Sequence, residues 1–182
     1  MQSMKALTKW LQQHACSASY LFTFYDLRSL CPAISVGAFK ALLSRAVKQG
    51  LLEKVCYGLY AYNSVSNANG LLLFHAAAHL RSDKFNYISL ETALSDAGII
   101  SQVLIATITI MSSGRSNKIS CGDFGVIEFI HTTSRPIDVM SQLTYDQNCH
   151  LWRAKPNLAL LDMKKTHRSC DLINQDMLNE SI

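Results

Sequence analysis

The chain has 182 residues, 49% of them hydrophobic and 16% charged, with only three prolines; that composition excludes a disordered chain and fits one medium domain or two small ones. Its longest apolar runs, such as Gly70–Phe74, fall far short of the roughly 20 residues of a membrane helix, and the start MQSMKALTKWLQQHA lacks the apolar core and cleavage site of a secretory signal, so a cytoplasmic protein is expected. The net charge of +4 is unevenly placed: residues 1–62 hold seven basic and two acidic groups, residues 63–182 ten and eleven, the pattern of a small basic module that meets a polyanion joined to a near-neutral second part.

In chain order, Met4, Leu7, Trp10 and Leu11 recur at helical spacing and predict a helix to His14. Tyr20–Thr23 reads as a short extended piece. Thr23 can cap a second helix, with Asp26 in its first turn, running to about Leu30 before Pro32. Ser35 caps a third helix to about Gln49, where Gly50 suits a left-handed stop. Phe39, Leu42, Leu43, Ala46 and Val47 form its inward stripe. Two β-type runs around Tyr57-Gly58 then predict a hairpin. Helix, strand, helix, helix, hairpin is the order of a winged helix-turn-helix, assigned to residues 1–62.

The polar stretch Asn63–Gly70 reads as a linker or a helix entry, and the domain boundary is placed there. Residues 70–182 predict a mixed α/β domain with a small sheet, so the whole is an α+β chain. Gly70–Leu80 is apolar nearly all round and predicts a buried helix. Ser89 can cap a helix to Ala97, stopped by Gly98. Ile105–Met111 and Val126–Ile130 predict strands. Pro156 opens a helix to about His167.

The inward stripe of the third helix dictates what its other side presents. Val36, Gly37, Lys40, Ala41, Ser44 and Lys48 lie outward, with Arg45 at the flank. In a helix-turn-helix the start of this helix enters the major groove of double-stranded DNA. Small residues at Ser35, Val36 and Gly37 permit close approach. Lys40, Ser44 and Arg45 can reach base edges or phosphates, Lys48 extends the basic face, and Lys54 and Tyr57 on the wing meet the adjacent backbone. Other readings stand beside this one: Lys40 and Lys48 as an ordinary solvated face, Arg45 paired with Asp26, or the winged helix as a protein-binding module. Arg115, Lys118, Arg135, Arg153 and Lys155 in the second part read as exposed basic groups facing DNA flanks or an acidic partner, or simply solvent.

Six scattered cysteines, Cys16, Cys31, Cys56, Cys121, Cys149 and Cys170, form no closely spaced pair and read as reduced thiols. His75 and His79 are one helical turn apart but lack the glutamate of a zinc protease motif, so no metal site is expected. Asp162-Met-Lys164 fits a short nuclease pattern, with Asp123 or Glu128 as a further carboxylate, yet in a helix the two side chains point apart. No nucleotide-binding glycine loop or nucleophile elbow occurs, so neither a cofactor nor a catalysed reaction is expected.

The run Leu42–Val55, closed by Tyr57-Gly-Leu-Tyr60, resembles the winged-helix start of AbiEi-family antitoxins of type IV, abortive-infection toxin–antitoxin systems. Tyr87–Ile100 is similar to that family's Tyr-x-Ser-Leu-Glu-Ser-Ala-Leu motif. Thr107–Ser116 with Phe124–His131 looks like its paired strands, and Ala154–Asp162 like its Ala-Leu-Leu-Asp helix. The four stretches occur in the family's order across nearly the whole chain. The resemblance implies a repressor that binds inverted repeats at its own promoter, with two copies on the DNA. It also implies an antitoxin that counters a cognate AbiEii-like nucleotidyltransferase toxin through the second domain.

Overall fold

The computed structural model describes residues 2–65, 70–100, 106–171 and 173. The middle of the expected linker, 66–69, and the expected strand start at Ile105 lie outside the described residues. The chain divides into two compact units, residues 1–72 and 73–182, and the fold is α+β.

The first unit runs α1 (Gln2–His14), β1 (Leu21–Thr23), α2 (Phe24–Ser29), α3 (Val36–Lys48), β2 (Leu52–Cys56) and β3 (Leu59–Tyr62). Its antiparallel sheet has the order β1-β3-β2, with Leu21 opposite Ala61 and Lys54 opposite Tyr60. Each boundary has a local cause. Thr23 and Asp26 form a reciprocal capping box at the start of α2, which satisfies amides the helix leaves free. Ser35 accepts from the Ala38 amide at 3.2 Å and starts α3. Gly50 and Gly58 take φ of 71° and 77°, values a β-carbon disfavours, and so end α3 and turn the β2–β3 hairpin. Leu7, Leu11, Leu27, Phe39, Leu42, Leu43, Ala46 and Leu52 close one core. Met4, Trp10 and Val47 lie only partly buried at its edge.

The second unit contains α4 (Leu72–Leu80, whose first residue closes the first unit), β4 (Asn86–Ile88), α5 (Leu90–Asp96), β5 (Thr107–Ser112), β6 (Asn117–Ser120), β7 (Val126–His131), α6 (Pro136–Val139), β8 (Leu143–Asp146), β9 (Leu151–Ala154) and α7 (Pro156–Lys165). Its strands form one sheet in the order β6-β7-β5-β4-β9-β8. The pairs β5–β7 and β4–β9 are parallel, the others antiparallel. The expected strands correspond to β5 and β7; four more went unread. β4 is three fully buried residues, too short to show alternation, and β6 is the polar run Asn-Lys-Ile-Ser.

One local expectation is corrected. Ser89 precedes α5 but makes no side-chain cap. Its hydroxyl instead donates to Asp162 of α7 at 2.7 Å, and Leu90 takes φ of 59°. A buried carboxylate outcompetes the helix amides for that hydroxyl because a charge-assisted hydrogen bond is the stronger one.

Candidate nucleic-acid interface

Ser35, Val36, Gly37, Lys40, Ser44, Arg45 and Lys48 on α3, Lys54 on β2 and Tyr57 in the hairpin turn are all exposed. Phe39, Leu42, Leu43 and Ala46 turn the other way into the core. At 100° per residue, Lys40, Ser44 and Lys48 form one row along α3, with Gly37 beside it. Arg45 stands apart from that row: with Met4, Ile34, Ala38, Leu42 and Gln49 it lines a groove of about 280 Å³ on the α1 side.

The expected alternative for Arg45 was a pairing with Asp26. The Asp26 carboxylate is instead occupied by the amide and hydroxyl of Thr23, both at 2.7 Å. Among the described residues, every ion pair lies in the second unit. Among the described residues the lysines of α3 and β2 therefore form no ion pair. Opposite Lys54 on the hairpin, the phenol of Tyr60 is pushed above its ordinary range, first by burial and then by Tyr57.

What aims α3 is a residue that entered the sequence reasoning only as a charge. Arg28 of α2 folds back over the α2–α3 turn. Its guanidinium donates to the carbonyls of Cys31, Pro32 and Ile34 and lies 5.5 Å from the centre of the Phe39 ring. A planar five-donor fork is the one side chain suited to gathering three carbonyls. Nothing in the local pattern marks it, since the carbonyls it meets come from backbone.

The basic groups of the second unit behave differently. Lys118 pairs with Glu128 at 3.2 Å, Arg135 with Asp138 at 2.9 Å, and Lys155 donates to the Ser141 carbonyl at 3.1 Å. Arg153 is not exposed as expected: its side chain is 25% accessible, bound to Asp96 and Asp146 and laid 5.9 Å from the Phe74 ring centre. Of the five, Arg115 alone has no such engagement among the described residues. Four of these five basic groups are thus engaged within their own unit, whereas the ion pairs among the described residues include none of the basic groups of the first unit.

The groups considered for chemistry are placed as follows. Asp162 is fully buried, accepting from Tyr87 at 3.0 Å and Ser89 at 2.7 Å, while Lys164 is exposed; the Asp-x-Lys pattern does not converge. Glu128 is held by Lys118 and Arg168. Burial pushes the Cys149 thiol up to about 12, with Asp146 adding to it, so the thiolate a nucleophile needs is suppressed. A ring nitrogen of His75 lies 2.6 Å from the Asn148 carbonyl and its ring stacks on His150 at 4.9 Å; His79 is exposed. Among the described residues no three metal-ligating side chains cluster, all six cysteines are free thiols, and no helix is long and apolar enough to cross a membrane.

Tyr87, Ser89 and Asp162, drawn from two separate sequence motifs, thus meet in one buried hydrogen-bonded cluster. Thr109 and Thr92 extend it: the Thr109 hydroxyl donates to the Ser89 carbonyl at 2.7 Å, and the Thr109 amide to the Thr92 hydroxyl at 2.8 Å. These motifs lock α5 and α7 onto the sheet.

No protein-family profile and no curated protein matches the chain. Among solved structures it is similar to the RV2827C protein from Mycobacterium tuberculosis, with a TM-score of 0.62 at 11% identity, over 100% of this chain and 71% of that one. At that identity the likeness is one of fold.

Proposed function

We propose that the first unit is a winged helix-turn-helix that binds duplex DNA, with α3 as the reading helix and the β2–β3 hairpin as the wing. One observation carries the reading: the outward row of α3 holds Lys40, Ser44 and Lys48 exposed, with no ion pair in the first unit among the described residues. The element order and the sheet order β1-β3-β2 support it. Gly37 leaves open space where a side chain would stand between the helix and a duplex.

Such a face binds first by releasing counterions from the phosphates. Base-edge contacts from Lys40, Ser44 or Arg45 then add specificity. On the resemblance of its four motifs, the protein represses its own promoter, two copies sharing an inverted repeat, and acts as antitoxin to an AbiEii-like nucleotidyltransferase through the second unit.

Titration of a labelled duplex from the region upstream of its own gene, across a salt series, tests the first claim. Replacing Lys40 and Lys48 with alanine weakens binding and lowers the salt slope by about one for each phosphate that is no longer neutralised. Affinity and slope unchanged in both variants would remove α3 from the interface. Co-expression with the neighbouring gene product tests the second: failure to relieve growth arrest counts against the antitoxin role. Relief of arrest by a protein that ignores DNA would instead make the winged helix a protein-binding module.

A further inference from the structure

The start of α2 and the turn of the β2–β3 hairpin form one edge of the first unit. The amide of Phe24 donates to the carbonyl of Gly58 at 2.8 Å, so residue 25 follows directly on a bond to the hairpin turn. The ring of Phe24 meets Phe39 of α3 edge-on, centroids 5.3 Å apart, and meets Tyr25 in the same way at 5.7 Å. Tyr25 is thereby held in register with both the hairpin and α3. Yet it is 81% exposed, and Tyr57 across the Gly58 bond is 90% exposed.

Among the described residues the phenol of Tyr25 has no hydrogen-bond partner. The neighbouring carboxylate, Asp26, is turned back onto Thr23, which lessens its repulsion of an approaching anion. Two exposed tyrosines with apolar bodies, in the same unit as the unpaired lysines of α3, suit a surface whose partner offers acceptors at its flank. The lysines select a polyanion and the phenols select its oxygen acceptors. A duplex backbone provides both.

We propose that Tyr25, whose neighbour Phe24 is bonded to the hairpin turn that carries Tyr57, grips the phosphodiester backbone flanking the groove that α3 enters, its phenol donating to a non-bridging phosphate oxygen. This rests on the first unit binding duplex DNA and adds to that reading a contact outside the reading helix. A neutral phenol displaces no counterion, so its contribution is separable from that of a lysine.

The test uses the full chain and the fluorescein-labelled upstream duplex, read by anisotropy between about 50 and 200 mM salt. Tyr25→Phe weakens binding about 3- to 10-fold, the worth of one hydrogen bond to a charged acceptor, and leaves the salt slope unchanged. Tyr25→Lys places a cation at the same spot and steepens the slope by about one. Tyr25 is exposed, so both variants keep the fold, and unaltered unfolding midpoints check this. Wild-type protein that ignores the duplex ends this proposal together with the parent reading. Wild-type binding with Tyr25→Phe indifferent, or with Tyr25→Lys leaving the slope unmoved, overturns this proposal alone.

Discussion

The guanidinium of Arg28 donates to the carbonyl of Ile34 at 2.6 Å, bridging the turn between α2 and α3. The same group serves Cys31 and Pro32. The angle at which α3 leaves the turn is thus tied to one side chain of the preceding helix.

Replacing Arg28 with methionine keeps the stem over Phe39 and removes the donors. The expected loss is about 1–3 kcal/mol of stability, the cost of partly buried carbonyls left without partners, measured by urea denaturation. Lysine restores part of it, since three donors on a point charge cannot match the fork. A methionine variant as stable as wild type would show that the turn holds itself.

Gly37 separates stability from function. It lies within α3 and a β-carbon there meets nothing within 4 Å. Gly37→Ala therefore raises stability by about 0.5–1 kcal/mol. If α3 sits in a groove at this residue, the same methyl weakens duplex binding. A protein with a higher melting midpoint and undiminished affinity would place the duplex away from residue 37.

Asp162 and Glu128 give stability opposite slopes against pH. Burial raises the Asp162 carboxyl above its ordinary 3.8, although Ser89 and Tyr87 pull it down. The folded protein then holds that proton more tightly than the unfolded chain. Stability from Asp162 is full below 3.8 and is lost as pH climbs through the raised folded value. Asp162→Asn removes this decline; Asp162→Ala strips Tyr87 and Ser89 of their shared acceptor and costs about 2–4 kcal/mol. Stability curves measured from acid to neutral pH for the three proteins check both; an unchanged decline in the asparagine variant refutes the assignment.

Glu128 runs the other way. Burial alone would raise it, but Arg168 and Lys118 hold it below its ordinary 4.5. Its stabilisation is present above 4.5 and is lost as pH falls through the depressed folded value. Arg168 also binds Glu91 at 2.7 Å, and these three side chains are 15–24% accessible. Arg168→Ala is expected to cost about 1–3 kcal/mol, and Lys118→Ala, with its side chain 70% accessible, under about 0.5 kcal/mol. Equal losses in the two variants would refute the ranking.

The helical segments of the first unit were legible because each carries a signal of its own: an apolar stripe in α1, a capping residue in α2, and in α3 a capping residue, a stripe and a glycine where the chain turns left-handed. The exposed row of Lys40, Ser44 and Lys48 followed from the inward stripe of Phe39, Leu42, Leu43 and Ala46, as two sides of one rod. In the second unit the apolar runs of β5 and β7 were visible. The short strands β4, β6, β8 and β9 were not: unlike β2 and β3 they flank no two-residue glycine turn that marks a hairpin, and strands of three or four residues depend more on their neighbours than on alternation.

The local code therefore decided where helices begin and end, which face of α3 is oily, and that positive charge gathers in the first third of the chain. The tertiary structure alone decided that Arg28 clamps the turn, that the Phe24 amide bonds to the hairpin turn, that Ser89 serves Asp162 rather than its own helix, and that the second unit's arginines are mostly spent on internal carboxylates. Periodicity and capping act over a few neighbouring residues and can be read along the chain. Hydrogen bonds between residues tens of positions apart depend on where folding carries their partners, and composition holds no record of that.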